Sequence, residues 1–253
     1  MEQVQDTVVI NGKSYKSSEI IKYDIEEMKE KNLYDDYRNA NFKNIYFEYE
    51  EFPNKPIVIA QNFTLQKGGI FWDGSYLLSK YFLSIEPPAK DCKPEKPLRI
   101  LELGGATSLP SIVAGYAGHN VVTTDLEYLI PFMEKNVYEN IPKGQNVEVK
   151  KLKWGEEEHM KAISGPFDYI FGAELIYLES TFEDLVKTLK YYSDEKTKII
   201  LIYKFRMQEK LDLFFSFFDK EFTYEFIDQS VIKKFLPNPN FHMLVARRKP
   251  LDA

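Results

Sequence analysis

A single cysteine, Cys92, occurs among 253 residues, so no disulfide forms within the chain and a reducing compartment is expected. It sits in a polar linker at 87–97, and no role is expected of it. Histidine is scarce too. His119, His159 and His242 do not cluster with cysteine or acids at metal-ligand spacing, which predicts no metal site. Long apolar runs are missing: the longest aliphatic stretch, near 199–202, fits a buried strand and no membrane span. Residues 1–6 lack the basic and apolar regions of a signal peptide, so a cytoplasmic location is expected. Positive charge is not in excess. The net charge of −6 argues against a nucleic-acid partner. A basic protein substrate suits that balance better, although −6 is also an ordinary solubility charge.

What the chain does have is concentrated at 98–125, LRILELGGATSLPSIVAGYAGHNVVTTD. An apolar strand runs into Gly104-Gly105, a helix opens at Ser108 and Pro110, and a second strand ends on Asp125. This is the first βαβ unit of a nucleotide-type α/β fold, with an acid placed to grip a ribose diol. A dinucleotide site needs G-x-G-x-x-G. Positions 104, 106 and 109 read Gly, Ala and Leu, and Glu102 stands just before the turn. An acid repels a pyrophosphate but tolerates an aminoacyl sulfonium, so S-adenosyl-L-methionine is the expected ligand. Glu102, Gly104, Gly105, Ala106 and Asp125 are its candidate contacts.

Upstream, 17–37 is charged and helix-prone, and 44–50 with 56–60 reads as a hairpin around Pro53-Asn54. Gly68-Gly69 breaks the chain before a helix at 75–83. Beyond the linker, strands are predicted near 98–103, 120–124, 146–152, 167–173 and 197–203. Helices are predicted near 109–118, 127–139, 179–192 and 207–219. Such alternation implies a parallel sheet. Two final strands, 221–227 and 241–247, read as an antiparallel hairpin joined by a loop without a helix. The expected fold is therefore α/β, a seven-stranded Rossmann-like sheet of five parallel strands plus a hairpin, as in class I methyltransferases. An amino-terminal extension, 1–67, would pack on a methyltransferase domain at 68–253.

Four motifs in order resemble the seven-strand lysine methyltransferases that act on non-histone proteins, methyltransferase family 16. They are Phe71-Trp72-Asp73, Glu102-Leu103-Gly104 with Asp125, Trp154-Gly155, and the run from Gly172 to Glu179, GAELIYLE. The resemblance spans roughly 68–248. It implies cofactor contacts at Trp72, Trp154 and Ala173, and an acceptor end at Glu174 and Tyr177. It also implies a protein substrate, elongation factor 1-alpha or an Hsp70-type chaperone; the Tyr203–Arg206 run leans to the elongation factor. A monomer, with no nucleic-acid or membrane partner, is expected.

The chemistry of these residues stands on its own. Trp154, just past a strand end, can cover an adenine face, worth ~1 kcal/mol beyond burial. Trp72 either closes over the methionine end or simply anchors the amino-terminal region. Asp125 lies about 20 positions after Gly104, the spacing expected for a ribose acid, and also suits a helix N-cap. An incoming lysine must lose its proton before attack; a carboxylate stabilises its ammonium form. Glu174 is therefore expected to bind and orient the lysine, or else to cap a helix, and Tyr177 to orient the amine. The segment Ala173–Tyr177 has no proline, unlike the nucleic-acid amine methyltransferases. Arg206 either lines the acceptor mouth or opens a surface helix, and Glu156–Glu158 either meets a basic substrate loop or is a solvated acidic turn. Ala106 and Ser108 replace usual family glycines, and Glu174 a usual aspartate. Two other classes stay open: a non-catalytic partner that kept the fold, and a small-molecule N-methyltransferase.

Overall fold

Asn11 and Gly12, both at positive φ, turn a hairpin of Thr7–Ile10 (β1) and Lys13–Lys16 (β2) at the start of the computed structural model, which describes residues 6–31 and 41–250. The helix expected over 17–37 is shorter. Ile20–Lys22 is a strand (β3), because β-branched Ile20 and Ile21 pair in parallel with Asn44–Phe47 (β4). Ile25–Lys31 (α1) begins only after Asp24, whose carboxylate accepts the amides of Glu26 and Glu27. The rest of that prediction, 32–37, lies outside the described residues. The predicted hairpin around Pro53-Asn54 forms: β4 pairs antiparallel with Ile57–Ala60 (β5).

A 3-10 segment, Phe63–Gly69, leads to Asp73–Ile85 (α2). The alternating part follows: Arg99–Leu103 (β6), Leu109–Tyr116 (α3), Asn120–Asp125 (β7), Ile130–Asn140 (α4) and Val147–Lys151 (β8). Then come Glu157–Lys161 (α5), Tyr169–Ala173 (β9), Phe182–Tyr192 (α6), Lys198–Lys204 (β10) and Gln208–Glu221 (α7). Phe222–Phe226 (β11), Gln229–Phe235 (α8) and Phe241–Arg248 (β12) close the chain's sheet. Among the described residues, seven strands form one sheet in the order β11-β12-β10-β9-β6-β7-β8. Only β12 runs against its neighbours, inserted between β10 and β11. This is the class I methyltransferase sheet.

Two details correct the sequence reading. The last two strands are joined through a helix, α8: Asp228 caps it through the Ser230 amide at 2.7 Å, and Ile232 is buried beneath it. The acidic run at 156–158 leads into the helix α5, whose Met160 is buried.

Side chains along the central strands alternate between two cores. Ile100, Ile200 and Ile202 face α2, α3, α8 and the amino-terminal strands. Leu101, Leu103, Ile199 and Leu201 face α6 and α7. The amino-terminal sheet joins the first of these cores. Buried Asn136 on α4 accepts the Ala60 amide at 2.8 Å and donates to the Ala60 carbonyl at 3.2 Å. Asn140 does the same at Val58. Among the described residues no helix is long and apolar enough to cross a membrane.

Candidate active site

The turns that follow β6, β7, β8 and β9 open onto one cavity of about 810 Å³, within the range of small-molecule sites. Gly104 forms its floor. At φ +60°, a Cβ here would stand 2.6 Å from Leu175 and 3.4 Å from Trp154. The backbone remains left-handed at Ala106 (φ 46°) and Ser108 (φ 61°), a conformation that costs L-residues roughly 1–2 kcal/mol each. Asp125 holds this turn. Its Oδ2 accepts the Ala106 amide at 3.0 Å and its Oδ1 the Leu126 amide at 2.7 Å. Burial raises the Asp125 pKa, and the two amides pull it back. Each oxygen keeps a lone pair for a hydroxyl in the cavity.

Glu102 and Gly105 are not among the described lining residues. Glu102 is buried behind the turn, where it accepts the Ser111 hydroxyl and, at 3.0 Å, that of Thr123. Burial pushes its pKa up to about 7. Gly105 packs so closely that a Cβ would lie 2.3 Å from the Thr123 hydroxyl. Both support the turn.

Trp154 follows β8, and its loop is fixed by the Gly155 amide on the Thr188 hydroxyl at 2.9 Å. Trp72 stands on the facing side, its indole donating to the Lys67 carbonyl at 2.9 Å. Both line the cavity with Ala173, Glu174 and Tyr177.

Glu174 bears out the helix-capping reading and also lines the cavity. It has φ 56°, and its side chain is 11% exposed. Oε1 accepts the Gly74 amide in the first turn of α2 at 2.9 Å, and Oε2 lies 3.9 Å from Arg206. It thus caps a helix while lining the cavity. Its approach depends on Gly74, where a Cβ would fall 2.8 Å from Oε1. The start of α2 is anchored in turn by the buried Tyr23 hydroxyl, 2.6 Å from the Asp73 carboxylate. Tyr177 is 43% exposed, with Lys67 5.0 Å over its ring. Partial burial, then the charge of Asp125, raises its pKa and keeps the phenol protonated. Arg206 lies two residues before α7 and lines the cavity.

The sequence reading missed one wall and several lining residues. Residues 64–68 form that wall, and Tyr128, Tyr203, Lys204 and Lys210 also line the cavity. Gly68-Gly69 was the signal: a Cβ at Gly68 would lie 2.6 Å from Leu129, so the pair lets this segment close against the turn after β7. Buried Tyr203, its pKa pushed up to about 12, reaches the cavity from β10.

Residues 51–221 match the sequence profile described as lysine methyltransferase. The chain belongs to that family. Protein N-lysine methyltransferase METTL21A of Danio rerio is 35% identical over 158 residues, 61% of this chain and 69% of the relative. The METTL21A of Mus musculus is 32% identical over 176 residues, 68% and 77% of the two chains. EEF1A lysine methyltransferase 3 of Mus musculus is 33% identical over 159 residues, 62% and 65%. Among solved structures, the PH0226 protein of Pyrococcus horikoshii superposes with a TM-score of 0.50 at 14% identity, covering 74% and 96%. Precorrin-6y C5,15-methyltransferase of Geobacter metallireducens gives 0.50 at 11% identity, covering 76% and 93%. These two share the fold. The methyl donor of the family is S-adenosylmethionine, and the cavity suits it. An acid for a diol, an indole beside Leu126 and Leu152, and a floor without Cβ fit an adenosine that carries no phosphates.

Proposed function

We propose that this chain is a protein-lysine N-methyltransferase acting on a non-histone protein, elongation factor 1-alpha or an Hsp70-type chaperone. The reading rests chiefly on one observation: the Gly104 floor and Asp125 share a cavity with the helix-anchored carboxylate of Glu174. The name of one relative, EEF1A lysine methyltransferase 3, supports the elongation-factor candidate, which the run from Tyr203 to Arg206 also favours.

When bound, S-adenosylmethionine supplies an electrophilic methyl group on sulfur. Asp125 would hold the ribose hydroxyls, Trp154 the adenine face, and Trp72 and Ala173 the methionine end. The residues around the acceptor have three tasks: align the amine, exclude water and let a proton leave. Glu174 cannot swing freely, because Oε1 is held by Gly74, so it offers the lysine ammonium a fixed counter-charge. A fixed carboxylate favours the charged amine, which makes Glu174 an orienting group and a poor base. Tyr177, kept protonated, orients the amine through its hydroxyl oxygen, and solvent at its exposed edge takes the proton. The same proposal makes the enzyme a cytoplasmic monomer with residues 1–67 packed on its catalytic domain.

Labelled methyl transfer into a native lysate, followed by identification of the modified band, tests this reading, with Glu174→Ala and Asp125→Ala as controls. Label is expected in a protein band and lost in both variants. Cofactor binding without any transfer would indicate a non-catalytic partner, and label that dialyses away a small-molecule methyltransferase. Either result overturns the proposal.

A further inference from the structure

Among the described residues, twelve large hydrophobic side chains are exposed, and four of them, Leu126, Tyr128, Tyr177 and Leu178, line the cavity. Scattered exposed apolar groups need no explanation, but a concentration around one opening marks a contact surface.

The charge at the opening runs against the charge of the whole. Lys67, Lys153, Lys204, Arg206 and Lys210 line the cavity with only three carboxylates, Asp125, Glu174 and Asp184, although the chain carries −6. Two of those carboxylates are engaged inside, Asp125 by the turn and Glu174 by Gly74. The cations stand among the apolar groups. Lys67 lies over the Tyr177 ring at 5.0 Å, and Lys210 reaches the Tyr177 carbonyl at 3.3 Å and Glu179 at 3.4 Å.

We propose that the rim formed by Tyr177 and Leu178 with Lys67, Arg206 and Lys210 docks an acidic face of the substrate protein, so that the lysine to be methylated is one flanked by carboxylates and apolar side chains. This rests on the reading above that a protein lysine enters the cavity, and it reverses the expectation of a basic substrate drawn from net charge. The acidic remainder of the enzyme repels such a face, whereas the mouth attracts it, which orients the encounter. A polynucleotide would also meet the cations and could stack on Tyr128 and Tyr177, but the −6 body opposes its phosphates.

Four fluorescent probes test the proposal by anisotropy. Three are 13-residue peptides with one central lysine, flanked by glutamate and leucine, by glutamine and leucine, or by arginine and leucine. The fourth is a single-stranded oligonucleotide of similar length. The glutamate peptide is expected to bind at least about tenfold more tightly than the others, and to weaken strongly as salt is raised. The double variant Lys67→Glu, Lys210→Glu should abolish that preference. Equal binding of the peptides, preference for the arginine peptide or the oligonucleotide, an unchanged double variant, or no binding by any probe overturns it. The readout is binding. A preferred glutamate peptide that never accepts a methyl group would therefore sink the enzymatic reading and leave the rim standing.

Discussion

Glu174 accepts the amide of Gly74 from a distance of 100 residues, and the missing Cβ of Gly74 is what lets the carboxylate reach it. A stability effect and a catalytic effect should therefore separate at one position. Gly74 lies inside the first turn of α2, where alanine is a better helix former by about 1 kcal/mol. Gly74→Ala should leave the melting temperature nearly unchanged, because the propensity gain is offset by the disturbed cap, while the new methyl displaces Glu174 by about 1 Å. Misplacement of that size costs on the order of 100-fold in rate. Methyl-transfer rates beside thermal melts check this, and an active Gly74→Ala enzyme would remove Glu174 from the acceptor role.

Glu102 makes stability depend on pH in an unusual direction. Its pKa is about 7 when folded, against 4.5 as the ordinary value. Between those values the unfolded chain has lost a proton that the folded chain retains, so stability falls as pH rises from about 4.5 to 7 and then levels. The loss attributable to this group is on the order of 3 kcal/mol. Glu102→Gln, which keeps acceptors for Ser111 and Thr123, should be the more stable protein at pH 8 and lose the advantage near pH 4.5. Chemical denaturation of both proteins across that range measures the difference.

Ala106 holds a left-handed φ of 46°, a conformation that glycine adopts without the Cβ penalty. Ala106→Gly removes roughly 1–2 kcal/mol of local strain and adds about 0.4–1 kcal/mol of unfolded-state entropy. A net gain of about 0.5–1 kcal/mol follows, visible as a melting shift of a few degrees. Ala106→Val should lower the melting point instead.

Asn136 is wholly buried and satisfied on both sides by Ala60. Asn136→Leu leaves the Ala60 amide and carbonyl without these partners, at a cost of about 2–4 kcal/mol. Hydrogen exchange should rise most at 57–60.

Much of this was legible in the sequence because alternation in the central strands has few solutions. A strand such as Arg99–Leu103, apolar on both faces and followed by glycines, fits only a parallel sheet covered by helices. The candidate site was legible where local chemistry marks a turn, as at Gly104, Asp125 and Trp154. What escaped was set by distant partners. No local pattern says that Glu174 meets Gly74, or that Glu102 turns away from the cavity to Ser111. Helix α8 was hidden because its seven residues bury only Ile232 fully, leaving little periodicity to read. The charge of the mouth was not legible because net charge averages over a surface on which the cations are not evenly spread.

The insertion of β12 between β10 and β11 also bears on how the molecule comes into being. Tyr203 and Lys204, which reach the cavity, take their register from His242 and Phe241. A growing polypeptide emerging from the ribosome cannot complete that pocket until residues 241 and 242 have been synthesised. Until then the β10 edge offers unpaired amides to any passing strand, and translation that stalls before residue 241 should yield aggregates in place of a weakened enzyme.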